Sequence, residues 1–280
     1  MSVVPVDAAT VMLLRPCPGE GAEGIEVLLV LRNRKSSFVP GYYVYPGGVI
    51  DDEDYGPGME RFVRGLDRHK AVSLIGDMPQ AEKALGVWVA AVRETFEEAG
   101  LLLARRQDGS PLVMATQEER NRFGRCRQSL VKKETTFSSI LETEKLVLFS
   151  EDLCYFSHWI TPEPLPKRYD VRFFMAALPV GQSVSHDGVE LTSHVWLRPS
   201  EALEQYEADK IGMVLPQIMT LGELSRFRTV EEALRCAKKK RVEATRTKMM
   251  HQDGRYVEVM PDGAVFQHRP PVYSWPDEKD

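Results

Sequence analysis

The sequence predicts an α/β (α+β) fold, a mixed sheet flanked by helices, and three observations carry that prediction. Two β-rich runs, residues 8–15 and 25–32, open the chain. A long amphipathic helical pattern carrying three clustered glutamates occupies about residues 78–99. Strand signals return at 155–161, 171–178 and 191–197, and helical patterns then run from Pro199 to about residue 240. Strand and helix signals interleaved along one chain indicate a layered structure around a shared sheet.

The first two runs bracket a loop rich in Gly, Pro and Glu from Pro16 to Gly24, the arrangement of a hairpin. That loop contains a formal GxGxxG, Gly19 to Gly24, but a dinucleotide site needs a helix to open after it. Here the strand-like Ile25-Glu26-Val27-Leu28-Leu29-Val30-Leu31 follows, so the loop reads as a hairpin connection. Residues 38–50 are aromatic and Gly-rich and contain Tyr45-Pro46-Gly47-Gly48. Residues 51–79 read as an insertion that opens with Asp51-Asp52-Glu53-Asp54. Within it, the spacing of Met59, Phe62, Val63 and Leu66 predicts a short amphipathic helix.

The next helix should start at a capping box of Asp77 and Gln80 and end at Gly100, a residue suited to a left-handed terminus. Leu85, Trp88, Val89, Val92, Phe96 and Ala99 fall on the side opposite its glutamates. Residues 115–145 are polar and helix-like, with Phe123, Leu130 and Ile140 as inward positions. A helix begins at Pro199, two more fit within 216–240, and a hairpin joins 256–260 to 264–268 through Pro261-Asp262-Gly263. The expected organisation is a domain of residues 1–205 and a helical extension with terminal hairpin, residues 206–280, packed on it.

Composition narrows the function. A chain of 280 residues with 43% hydrophobic and 28% charged residues can build an ordinary buried core. The net charge of −5 argues against general nucleic-acid binding. Cys17, Cys126, Cys154 and Cys236 are scattered, which suits reduced thiols better than a disulfide frame or a zinc site. No apolar stretch is long enough to span a bilayer, and the N-terminus lacks a basic leader pattern. The C-terminal Asp277-Glu278-Lys279-Asp280 is no peroxisomal address. The expectation is a cytoplasmic protein with a small-molecule partner and neither nucleic acid nor membrane; a homodimer is one option for its assembly.

The chemistry points to Glu94, Glu97 and Glu98. Residues three and four apart on a helix are neighbours, about 5–6 Å apart at Cβ. At about 6 Å and an effective dielectric near 20, each like-charge pair repels by roughly 3 kcal/mol. Held in a cleft, such a cluster calls for a cation. Oxygen-only ligands favour a hard one, Mg²⁺ or Mn²⁺, which commonly bridges carboxylates to substrate phosphates.

Arg93-Glu94-x-x-Glu97-Glu98-x-Gly100-Leu101, with Gly48 upstream, resembles the Nudix box, Gx5Ex7REUxEExGU, where U is aliphatic or aromatic. The second half matches with Phe96 in the first U position. The first half is out of register: counting back from Arg93 places its glutamate at Leu85 and its glycine at Pro79, and counting forward from Gly48 places the glutamate at Asp54. Forty-five positions separate Gly48 from Arg93 where an intact box has fourteen, an insertion of thirty-one residues. Such a split box is similar to the coenzyme A diphosphatase branch of peroxisomes and mitochondria and its bacterial relatives. The likeness extends to Trp159-Ile160-Thr161-Pro162, Arg168-Tyr169-Asp170 and Leu215-Pro216. Arg32 and Gly41-x-x-x-Tyr45-Pro46-Gly47-Gly48 partly match the signature that precedes the box in coenzyme A-cleaving members, with Ser37 in place of its second arginine.

The resemblance implies a Nudix-type α/β/α sandwich and metal-dependent hydrolysis of a nucleoside diphosphate linked to another moiety, with coenzyme A or acyl-coenzyme A favoured. ADP-ribose or another nucleotide sugar is the alternative substrate, and a nucleotide-binding module of weak activity is the alternative function. It implies Gly48 (through its carbonyl), Glu97 and Glu98 as metal ligands, Glu94 as ligand or base, Arg93 as the residue that holds a glutamate, and Glu190 as a further ligand. Arg32, Tyr45 and Gly47 are the implied substrate-binding residues. Glu151 and Asp152 are alternative bases.

Overall fold

Successive side chains of a strand point to opposite faces of a sheet, and the first two strands use both faces for apolar residues. In β1 (Val6–Pro16), Ala9, Val11 and Leu13 enter one core while Met12 and Leu14 enter another. In β2 (Ile25–Arg32), Leu28 and Val30 join the first core and Val27 and Leu29 the second. Such runs are continuous in hydrophobicity because both faces are covered. The computed structural model describes residues 3–19, 23–36, 39–76, 78, 80–163, 165–185, 191–252 and 255–267. Ser37, Asp77 and Glu190, named above, lie outside them, as does His268 at the end of the expected hairpin.

In chain order, β3 (Tyr43–Val44) and β4 (Gly47–Val49) follow the first hairpin, then β5 (Val63–Arg64), α1 (Arg68–Ile75) and α2 (Ala81–Ala99). Next come β6 (Arg105–Arg106), α3 (Gln117–Val131), α4 (Phe137–Thr143), β7 (Leu146–Phe149), β8 (Cys154–Ile160), β9 (Tyr169–Ala177) and β10 (Leu191–Leu197). The chain continues with α5 (Pro199–Glu207), α6 (Leu215–Leu224), α7 (Val230–Ala237), β11 (Ala244–Arg246), β12 (Lys248–Gln252), β13 (Arg255–Val259) and β14 (Val265–Gln267). The main sheet runs β10-β2-β1-β9-β8-β11, with β3 beside β2 and β4 beside β1. It is mixed, since β1 pairs β9 and β8 pairs β11 in parallel while the other pairs are antiparallel.

Helix α2 lies in the first core, and α5, α6 and α7 contribute to the second. The glutamate helix is buried almost all round: Ala84 to Arg93, Thr95, Phe96, Glu98 and Ala99 are inaccessible to solvent or nearly so. The expected apolar stripe is buried, and so is much of the side that carries the glutamates. A helix buried on all sides is a central element, so its carboxylates are held by protein. Gly100 ends it at φ +70°, as expected, whereas Gln80 makes no side-chain cap. Among the described residues no helix is long and apolar enough to cross a membrane.

The insertion folds differently from its spacing. Met59, Phe62, Val63 and Leu66 are all buried, but only Met59–Phe62 forms a single 3-10 turn. Val63–Arg64 pairs with β7, and Gly65 at φ +78° turns the chain toward α1, which Asp67 caps by accepting from the Lys70 amide at 2.8 Å. The inward set is as expected, but a 3-10 turn, a short strand and the residues after it carry it, and the helix of the insertion follows at 68–75. At the other end, the terminal hairpin gains a third strand, β12, and β11 extends the main sheet; neither had a sequence signal.

A buried ionic network ties sheet to helix. The Arg172 guanidinium, 1% exposed, donates to Asp7 at 2.6 Å and to the Asp170 carbonyl at 3.2 Å, with the Asp170 carboxylate 3.1 Å away. His158 Nε2 meets that carboxylate at 2.5 Å, and Lys83 of α2 reaches Asp7 at 2.5 Å. Burial pushes the Asp7 carboxyl up, but Lys83 and Arg172 outweigh it and hold it below its ordinary value. Asp7 therefore stabilises the fold above the ordinary carboxylate range, near pH 4, and that contribution is lost as pH falls through its lowered value. Arg172→Met should cost about 3 kcal/mol in denaturant titrations at neutral pH, because it removes the buried guanidinium that two part-buried carboxylates share. A stability equal to the parent would count against this reading of the network.

Candidate active site

The site is assembled where β4 crosses the C-terminal half of α2. Gly47, at φ +154°, leaves no room for a side chain: a Cβ there would meet the Ala9 carbonyl and approach Thr10 Cα to 2.5 Å. The turn before it is pinned by Thr10 Oγ1 and the Val11 amide, which donate to the Pro46 carbonyl at 2.6 and 2.9 Å. The Gly47 amide donates to Glu98 Oε2 at 2.8 Å. A Cβ on Gly48 would lie 2.5 Å from the Glu94 carboxyl carbon. Turn and helix, distant in sequence, are thus in direct contact.

Arg93 organises the acids. Its Nε and Nη2 donate to the two oxygens of Asp54, each at 2.8 Å, a bidentate pair with Asp54 1% exposed. Nη1 donates to Glu94 at 2.8 Å and Glu97 at 3.4 Å, and Nη2 also reaches the Val49 carbonyl at 2.9 Å. One guanidinium therefore serves three carboxylates, and the local charge stays negative. Burial pushes the Glu94 carboxyl up to about 7, opposed by Arg93 and assisted by the charges of Glu97 and Asp54. Burial likewise raises Glu97, against Arg93. At the end of α2, Arg127 donates to the carbonyls of Glu97 at 2.8 Å and Glu98 at 2.9 Å, supplying the cation that a helix C-terminus favours.

These groups face a cavity of about 400 Å³, within the range of small-molecule sites. Glu94, Glu97, Glu98, Arg93, Gly47 and Gly48 line one part of it, and Arg32, Tyr45, Trp159, Phe173, Gln217 and Glu258 are among the residues of the rest. A sequence model of the NUDT19 Nudix domain matches residues 5–226. The chain belongs to this Nudix family.

Acyl-coenzyme A diphosphatase NUDT19 of Xenopus laevis is 29% identical to this Nudix chain over 235 residues, 74% of this chain and 61% of that protein. The Homo sapiens protein of the same name is 27% identical over 251 residues, 78% and 64% of the respective chains. The matches thus span less than two thirds of these two relatives. The crystal structure of a Nudix hydrolase from Alicyclobacillus acidocaldarius superposes with a TM-score of 0.66 at 25% identity, covering 84% of this chain and 97% of that one.

For this Nudix chain the geometry decides between the two counts of the split box. Asp54, reached by counting forward from Gly48, grips Arg93; Leu85, reached by counting back, lies in the hydrophobic core. The insertion leaves after Asp54 and returns at α2, so the two halves of the box meet in space.

The donor set fits a hard divalent cation, since it is all oxygen, part desolvated and in negative excess. Among the described residues no three His, Cys, Asp or Glu side chains already surround a common point. Glu94 and Glu97 are turned onto Arg93 and Glu98 onto Gly47, so taking up a cation requires them to turn from these partners.

Other expected residues take different places. Tyr45 is 2% exposed and its hydroxyl lies 3.0 Å from Thr220 Oγ1, so it offers the cavity a ring wall and no free hydroxyl. Glu151 and Asp152 both pair with Arg105 and are absent from the lining of this cavity. Arg127 and Glu258 were not foreseen. Each comes from an element remote in sequence, and only the box register pointed to Asp54.

The two glycines should respond differently to substitution. Gly47→Ala forces a Cβ into backbone and should destabilise the fold by about 2 kcal/mol or more. Gly48→Ala has the carboxylate end of Glu94 as its nearest contact, a side-chain end that can swing aside, and should keep the melting temperature within a few degrees while losing most hydrolytic activity. Asp54→Asn removes a charge that holds Arg93, and a loss of roughly 10–100-fold in kcat/KM is expected. Equal behaviour of the two glycine variants in thermal melts would contradict this assignment.

Proposed function

We propose that this chain hydrolyses a diphosphate linkage joining a nucleoside to a second moiety, with a divalent cation and with coenzyme A or an acyl-coenzyme A as substrate. One observation carries the proposal: Glu94 and Glu98 lie against the Gly47–Gly48 turn, and with Glu97 they line the wall of a substrate-sized cavity. The substrate class is supported by the names of the similar frog and human proteins.

Glu94, Glu97, Glu98 and the Gly48 carbonyl would hold Mg²⁺ or Mn²⁺. When bound, the ion supplies positive charge for the diphosphate oxygens and makes a neighbouring water more acidic. Asp54 and the Val49 carbonyl fix Arg93, and Arg93 keeps Glu94 and Glu97 at the cavity wall. The Gly47 amide aims Glu98. Glu94, which lines the cavity and whose carboxyl burial pushes up to about 7, is the base that accepts a proton from the attacking water. The water oxygen adds to one phosphorus, the bridging P–O bond breaks, and two phosphomonoesters result. Arg32 faces the anionic part of the substrate, and Trp159 and Tyr45 wall the organic part.

A module that binds without turnover drew its support from the missing first glutamate of the box. Asp54, at that position by the forward count from Gly48, still presents a carboxylate and pairs with Arg93, which supports the hydrolase reading over the binding module.

The test is incubation with Mg²⁺ and, separately, coenzyme A, an acyl-coenzyme A and ADP-ribose, with products read by mass. Coenzyme A or its acyl ester should give two phosphomonoesters fastest. Glu97→Gln combined with Glu98→Gln should reduce the rate on the order of a thousandfold or more with unchanged circular dichroism. Turnover at the parental rate in that folded double variant would sink the proposal, and faster cleavage of ADP-ribose would overturn the substrate class.

A further inference from the structure

A second cavity, about 690 Å³, lies behind the glutamate helix. Trp88 lines it, nine residues before Glu97 and so half a turn round the helix at 100° per residue. Its floor is apolar: Leu66, Ile75, Trp88 and Leu153 are each 6% exposed or less. Its rim is basic, with Arg64, Lys70, Lys238, Lys240 and Arg241 against two carboxylates, Glu151 and Glu243.

The charge excess survives inspection of the partners. Lys70 donates to the Gly65 carbonyl at 2.7 Å, and Lys240 sits 2.5 Å from Glu223 with the Phe156 ring below it. Glu151 is engaged by Arg105 at 3.1 Å. Arg241 reaches Glu243 only at 3.7 Å, with both side chains at least 80% exposed. An exposed pair of that kind contributes little. Lys238 is exposed, and no ion pair forms at it among the described residues.

An apolar floor gains free energy by covering hydrocarbon, at about 25 cal/mol per Å². A cationic rim adds strong hydrogen bonds to one anionic head. We propose that this cavity binds a single-chain amphiphile with an anionic head, a fatty carboxylate being the simplest member. Helix α1 of the insertion supplies one wall through Lys70, Leu74 and Ile75, so the insertion has a binding task separate from closure of the box. The inference rests on neither the metal nor the diphosphatase reading.

Calorimetric titration of the full chain with dodecanoate, below its micelle concentration, should show one saturable site. Dodecyltrimethylammonium, with the same tail and opposite charge, should bind at least tenfold more weakly. Lys238→Glu combined with Arg241→Glu, both on the exposed rim, should weaken dodecanoate at least tenfold with an unchanged melting temperature. Leu74→Asp should do the same from the opposite wall. The Glu97→Gln, Glu98→Gln variant should bind dodecanoate as the parent does, which separates this site from the catalytic one. Absence of saturable heat, equal affinity for the two amphiphiles, or undiminished dodecanoate binding in both rim variants would overturn the proposal.

Discussion

The bidentate pair between Asp54 and Arg93 is the contact on which the rest of the site depends. It joins the last residues of the glycine turn to the middle of the glutamate helix across an insertion that would otherwise leave them independent. Desolvating two charges is expensive, and only good geometry with further hydrogen bonds offsets it. Here both carboxylate oxygens are used, and the remaining guanidinium protons go to Glu94, Glu97 and the Val49 carbonyl. The pair thus does two things at once. It fixes where the insertion begins, and it leaves Arg93 with too little charge to neutralise the acids around it.

That deficit is maintained by the fold. A helix with a solvated acidic face would let its carboxylates relax into water, where mutual repulsion is weak. This helix is instead packed beneath a sheet whose β1 and β2 strands are apolar on both sides. Arg127 holds its terminal carbonyls, and the Gly47 amide holds Glu98. Glu94 accordingly stays desolvated, and its carboxyl is pushed up to about 7. The carboxylates are kept in a state that an added cation relieves.

How much of this was legible in the sequence depends on range. The glutamate helix, its Gly100 terminus and the main strands were readable because each is written in neighbouring residues. Met59, Phe62, Val63 and Leu66 were readable as inward positions, but their helix was not, because Gly65 and pairing with β7 override a spacing that suits both states. Asp54 was readable only as one of two incompatible counts; a position in three dimensions was needed to choose it over Leu85. The short β11 and β12 strands carry polar residues with no alternation to read. Arg127 and Glu258 reach the site from segments that nothing local connects to it.

Thirty-one inserted residues are cheap in chain entropy, since each doubling of a loop costs only about 0.6 kcal/mol. The demanding requirement is that both ends of the insertion return to fixed points, and the molecule meets it at two different depths. At the near end, Asp54 anchors by charge to Arg93, which lines the first cavity. At the far end, α1 anchors by Ala71 and Ile75 in the core, with Arg68 pairing to Glu60 and to Glu82 of α2 at 3.0 and 3.1 Å. The segment is therefore a folded part of the domain, secured at each end to the same helix that carries the acids. That helix also presents Trp88 to the second cavity, so one buried element lines both.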